Sequence, residues 1–144
     1  GDKPWGEKVD IIMPCATQND VDLTQAKRIV ANNIKYYIEV ANMPTTNEAL
    51  RFLMDQKNMV VAPSKAVNAG GVLVSALEMS QNSERYSWTA EEVDSKLHQI
   101  MTGIHDGSAA AAEKYGLGYN LVAGANIVGF QKVADAMMAQ GICW

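Results

Sequence analysis

The chain has 144 residues, the size of one domain or one piece of a larger one. Its 48% hydrophobic and 19% charged content supports a packed core and excludes a disordered chain, while a formal charge of −4 excludes binding nucleic acid through a clustered basic surface. No apolar run approaches the roughly 18 residues of a membrane span, so neither nucleic acid nor membrane is an expected partner.

The first regular signal is Val9-Asp10-Ile11-Ile12-Met13-Pro14, an apolar run stopped by proline, which predicts a buried parallel strand. Leu23, Ala26, Ile29 and Val30 recur at helical spacing and predict a helix over 22–32, capped by Asp20 or Asn19. Aromatic and β-branched residues over 35–40 read as a second strand. Thr45-Thr46-Asn47-Glu48 offers a capping box from Thr45 to Glu48, opening a helix that reaches about residue 55. Met59-Val60-Val61-Ala62-Pro63 is a third strand, again ended by proline. Each strand-to-strand connection contains a helix, so the strands should be parallel and the fold α/β, built from βαβ units.

Beyond Pro63 the strand signals stop. A helix is predicted over 68–82, and Thr89 to Glu92 forms another capping box. Val93, Leu97, Ile100, Met101 and Ile104 follow at helical spacing as a buried stripe. A last helix over 120–140 is apolar around most of its circumference and must be covered on several sides. The boundary between the sheet-forming part and the helical tail falls between 83 and 87. The eight methionines read as gap-filling core residues.

Ligands of open parallel sheets bind outside the carboxyl ends of the strands, where three polar loops fall, over 14–19, 41–46 and 63–71. Asn42 and Asn68 can each donate and accept, which suits a carboxamide or a ribose hydroxyl. Gly70 and Gly71 at a helix start allow close approach of a ligand to backbone. Singly, each of these has a plainer reading as turn or cap; together they favour a site modestly. Other motifs fail. Gly116-Leu117-Gly118 has no preceding strand, and Gly124 and Gly129 have P-loop spacing with Phe130 in place of the lysine. His98 and His105 stand about 10.5 Å apart along a helix, too far for one zinc ion. Cys15 and Cys143 form no metal or redox motif, and the polar opening holds no secretory apolar segment, so a cytoplasmic protein is expected. Asp10, Glu39 and Glu78 look like isolated carboxylates.

Four segments carry a resemblance: Pro14-Cys15-Ala16-Thr17-Gln18-Asn19, Glu39-Val40-Ala41-Asn42-Met43-Pro44-Thr45-Thr46, Ala62-Pro63-Ser64-Lys65-Ala66-Val67-Asn68-Ala69-Gly70-Gly71-Val72, and Gly124-Ala125-Asn126-Ile127-Val128-Gly129-Phe130. In this order they resemble the hexameric glutamate dehydrogenases of the Glu/Leu/Phe/Val dehydrogenase family, the clostridial NAD-dependent members looking nearest. The resemblance implies the second half of a Rossmann-like parallel sheet over 1–83, and a helical segment over 84–144 that packs back toward a substrate domain. It places Cys15, Ala16 and Thr17 beside the cofactor's ribose and pyrophosphate, and Asn42 and Asn68 at the nicotinamide. Ser75 would contact the side-chain carboxylate of glutamate, and Val72, three residues earlier on the same helix face, would line the aliphatic part of that pocket.

The implied activity is oxidation of L-glutamate to 2-oxoglutarate and ammonia with NAD, NADP being an alternative that the segment does not distinguish, in a homo-hexamer. The family's glycine fingerprint is expected ahead of Gly1, and its catalytic lysines and aspartate find no counterpart here. No residue of this chain is therefore expected to be catalytic or to bind metal. The competing reading is a catalytically inert fragment or an engineered module of interest for its folding or assembly.

Overall fold

In the computed structural model, which describes residues 3–141, three parallel strands form one sheet in the order β1 (Ile11–Ile12), β2 (Tyr36–Ile38), β3 (Val60–Ala62). Helices α1 (Leu23–Ala31) and α2 (Asn47–Met54) make the two crossovers. The register aligns Ile12, Tyr37 and Val61 in one row and Ile11, Tyr36 and Val60 in the next. Successive side chains point to opposite sheet faces, so the rows separate. Ile12, Tyr37 and Val61 are buried with Ala26 and Ile29 of α1, Ala49 and Leu53 of α2, and Trp5 of a short 3-10 helix, Pro4–Gly6. Burying side chains such as Ile29 and Leu53 contributes about 1.5–3 kcal/mol each. Ile11 and Tyr36 face away and remain 52% and 44% exposed.

The α/β expectation and the parallel pairing are met, and two details of capping are corrected. Asp22, not Asp20 or Asn19, caps α1 by accepting the Gln25 amide at 2.9 Å. Asp20 is engaged by Lys3 at 2.9 Å, and Asn19 sits in a left-handed turn. Thr46, not Thr45, caps α2 through the Ala49 amide. Thr45 is drawn into the core instead, where its Oγ1 lies 2.7 Å from the Tyr37 hydroxyl. Tertiary contact has decided which of two adjacent threonines caps.

After β3 the chain forms α3 (Ser64–Val67), α4 (Ala69–Glu84), α5 (Ala90–Lys114) and α6 (Leu121–Gln140). The Thr89 capping box forms as predicted: Glu92 Oε2 accepts the Thr89 amide at 2.7 Å, and Thr89 Oγ1 accepts the Glu92 amide at 3.2 Å. Asn120 caps α6 by accepting the Ala123 amide at 3.0 Å. Helices α5 and α6 pack as an antiparallel pair closed by the turn at Gly116 and Gly118, whose φ values of 71° and 60° suit glycine.

The stripe on α5 is not buried as expected. Val93, Leu97, Met101 and Ile104 are half-covered by their neighbours, and Ile100 is exposed; the fully buried residues of α5 are Ser108, Ala111 and Ala112. On α6 only Leu121 and Gly124 are buried. The methionines are likewise not all core: Met54 and Met59 pack against it, whereas Met13, Met43, Met79, Met137 and Met138 are exposed. Helical periodicity identifies an apolar face without supplying the partner that covers it. Cys143 lies outside the described residues.

Candidate functional site

The three polar segments lie side by side at the carboxyl ends of the strands, the first two as loops tied together by backbone and the third, over 63–71, folded into α3 and the start of α4 rather than a loop. The Val40 and Ala41 amides both donate to the Pro14 carbonyl, at 3.2 and 2.9 Å. The Asn19 amide donates to Met43 O, and Val21 forms a parallel bridge with Thr45. The second and third segments meet through side chains. Asn68 Nδ2 donates to Asn42 Oδ1 at 2.7 Å, and the Ser64 amide donates to Glu39 Oε2 at 3.2 Å. Lys65 Nζ donates to Asn126 Oδ1 and so pins α3 to α6.

Of the residues singled out in the sequence, Cys15, Ala16 and Thr17 are exposed on the first loop, the Cys15 thiol donating to the Met13 carbonyl at 3.2 Å. Asn42 and Asn68 are brought into contact. Val72 and Ser75 lie on the exposed side of α4, with Ser75 Oγ donating back to Gly71 O at 3.2 Å. Ser75 is seven residues beyond Asn68, about 10 Å along a helix axis, so its hydroxyl stands apart from the asparagines, with Val72 between them. The glycines divide. A Cβ on Gly70 would come within 3.3 Å of Leu97 Cδ1, so Gly70 serves the packing of α4 on α5; at Gly71 nothing lies within 4 Å.

The asparagine contact can be tested for its fit to a carboxamide. The bond occupies the Asn42 carbonyl and one Asn68 N–H, leaving the Asn42 amide N–H groups and the Asn68 carbonyl available. One donor set and one acceptor complement the carbonyl and NH2 of a primary amide, the end group of nicotinamide. The residues present therefore fit that group.

Three features were not anticipated from sequence. Glu39 is 3% exposed, a buried carboxylate just beyond the end of β2. Tyr37 is fully buried beneath the same loops, and burial, with the Glu39 and Asp20 carboxylates adding to it, pushes its hydroxyl well above the ordinary value; the Thr45 hydrogen bond offsets only part. Lys65 reaches a residue of the fourth sequence motif, Asn126, which spacing alone could not connect to the third. His98 and His105 are exposed, and His105 sits between Asp106 (2.8 Å) and the Tyr119 hydroxyl (2.6 Å). Among the described residues, no three His, Cys, Asp or Glu side chains gather as metal ligands, and no helix is long and apolar enough to cross a membrane.

Comparison with known proteins gives one answer throughout. The profile of the Glutamate/Leucine/Phenylalanine/Valine dehydrogenase family matches residues 1–141. An NAD-specific glutamate dehydrogenase of Clostridium symbiosum is 90% identical over 144 residues, covering 100% of this chain and 32% of that protein. The NADP-specific glutamate dehydrogenase of Escherichia coli is 53% identical over 144 residues, covering 99% and 31%. A solved glutamate dehydrogenase superposes with a TM-score of 0.96 at 90% identity, again over 100% of this chain and 32% of that one. The chain thus spans about a third of the length of the relatives it matches. With sheet, loops and sequence in agreement, the chain belongs to the Glutamate/Leucine/Phenylalanine/Valine dehydrogenase family.

Proposed function

We propose that this chain is the cofactor-side portion of a glutamate dehydrogenase, which converts L-glutamate to 2-oxoglutarate and ammonia with NAD and runs in reverse as a reductive amination. The observation that carries the reading is the Asn42–Asn68 contact at the mouth of the strand-end loops, in a chain whose relatives bear that name. NAD is the cofactor favoured by the 90% identical relative; NADP stays open because NADP-specific relatives also match.

In this reading the bound cofactor supplies the hydride acceptor, and the chain's own residues bind and orient. Asn42 and Asn68 hold the carboxamide and so set which face of the ring is offered. Cys15, Ala16 and Thr17 border the ribose and pyrophosphate. Val72 and Ser75 form part of the glutamate pocket across the cleft, Ser75 turning its hydroxyl from Gly71 O to the substrate's side-chain carboxylate. Residues 1–83 act as half of the cofactor domain and 84–144 pack toward a substrate domain, in a cytoplasmic homo-hexamer.

General acid and base groups come from outside this segment, so the chain alone should be inert. The test is an assay of the complete polypeptide and of this chain by itself. Glutamate-dependent reduction of NAD by the complete protein, and none by the chain alone, is expected; turnover by the isolated chain would overturn the division of labour.

A further inference from the structure

Glu39 is buried immediately beyond β2, and among the described residues it has no ion-pair partner. A carboxylate in that position is unfavourable unless hydrogen bonds compensate it, which makes the hydrogen bond it accepts informative. Its Oε2 accepts the amide of Ser64, the first residue of α3. Pro63 holds the cap position of that helix and offers no side-chain acceptor, so the amide is satisfied from the neighbouring strand instead. The strands are already joined at this level by the Glu39 amide donating to Ala62 O at 3.0 Å.

Location gives the contact its meaning. Glu39 stands three residues before Asn42, and Ser64 four residues before Asn68. The carboxylate therefore closes the root of the gap whose mouth is the Asn42–Asn68 hydrogen bond. Without it, the start of α3 would lose its tie to the end of β2, and the Lys65–Asn126 bond, which faces α6, would not restore the spacing of Asn68 from Asn42.

We propose that Glu39 is a positioning residue for the cofactor site, its buried carboxylate setting the spacing between the segments that carry Asn42 and Asn68. The inference rests on the cofactor reading of those asparagines. It concerns the acceptor oxygen rather than the charge, so a neutral side chain of the same shape should serve.

The test is a double-mutant cycle on the dissociation constant of NAD, in the complete dehydrogenase. Asn68→Ala and Glu39→Ala are each expected to weaken NAD about tenfold, and the double variant little more than either one, because the two act through one contact. Glu39→Gln, which retains an acceptor, should restore most of the affinity. Ser64→Pro removes the donor at a helix position that accepts proline, after a Pro63 already at φ −77° and ψ 145°, and should reproduce the loss even if Glu39→Ala fails to fold. A double variant whose losses multiply to about a hundredfold, as independent effects do, would overturn the proposal. So would a Ser64→Pro protein that binds NAD like its parent, or a Glu39→Gln protein as weak as Glu39→Ala. If Asn68→Ala alone left NAD binding unchanged, the cofactor reading itself would fail, a different outcome from the others.

Discussion

Gly124 of α6 crosses α5 at Ser108 so closely that a Cβ on Gly124 would lie 1.9 Å from the Ser108 carbonyl oxygen. The obstructing atom is backbone, and Ser108 is itself buried with its hydroxyl donating to Ile104 O at 2.7 Å, so neither helix can yield locally. Gly124→Ala should separate α5 from α6 and lower stability by about 1–3 kcal/mol, despite the better helix propensity of alanine. At Gly129, where a Cβ meets nothing within 4 Å in this chain, alanine should instead add up to about 1 kcal/mol. Denaturant midpoints of the two variants against the parent check the contrast.

The Tyr37 hydroxyl, buried against Thr45, has its pKa raised in the folded state, chiefly by burial. An unfolded tyrosine ionises near pH 10, roughly, so the folded chain holds its proton where the unfolded chain releases it. Stability from this group is complete below that pH and falls as pH rises above it. Alkaline titration followed by tyrosinate absorbance should contain one component that appears only with unfolding, and Tyr37→Phe should lack it. Losing the Thr45 partner should also reduce stability by about 1 kcal/mol at neutral pH.

The isolated chain should associate. Ile11 and Met13 at the outer strand, Tyr36 beside them, and Phe130, Val133, Met137 and Met138 on α6 are all exposed, with Phe130 at 71% and Met138 at 82%. Exposed apolar surface of this kind promotes self-association in water. Sedimentation of the chain alone should show a mass that grows with concentration; a monomer at the highest concentrations would contradict the expectation.

Ser75 and Val72 share an exposed face of α4, as glutamate-pocket residues would need to. In the complete enzyme, Ser75→Ala should raise the KM for glutamate by about tenfold, the scale of one hydrogen bond to a charged group, and leave the KM for NAD near its parent value. Steady-state kinetics with each substrate varied in turn check this, and equal effects on both would remove Ser75 from the pocket.

The order and type of the strands and the longer helices were legible because their signals are local, whereas α3 folds from residues that read as loop. Proline closes two strands, and Thr89 and Glu92 lie three residues apart on one helical turn. Contacts between elements were not. Thr45 and Thr46 are identical as caps until Tyr37 claims one of them. Glu39 reads as an isolated carboxylate because its partner is a backbone amide, which no side-chain pairing rule reveals. Gly124, which has P-loop spacing to Gly129, permits a helix crossing instead. The apolar stripe on α5 was correctly placed but only half-covered within this chain, since periodicity says which face is apolar and not what meets it. For the candidate site, sequence placed Asn42 and Asn68 on neighbouring loops, and only the fold could bring them to 2.7 Å.

On the proposed function, Asn42 and Asn68 receive the nicotinamide carboxamide. The most direct measurement is the dissociation constant of NAD for the complete dehydrogenase carrying Asn42→Ala, set beside that of the parent. Loss of the amide donors should weaken NAD about tenfold or more, corresponding to roughly 1.4 kcal/mol, with the folded state intact. An Asn42→Ala protein that is folded and binds NAD as tightly as its parent would contradict the account.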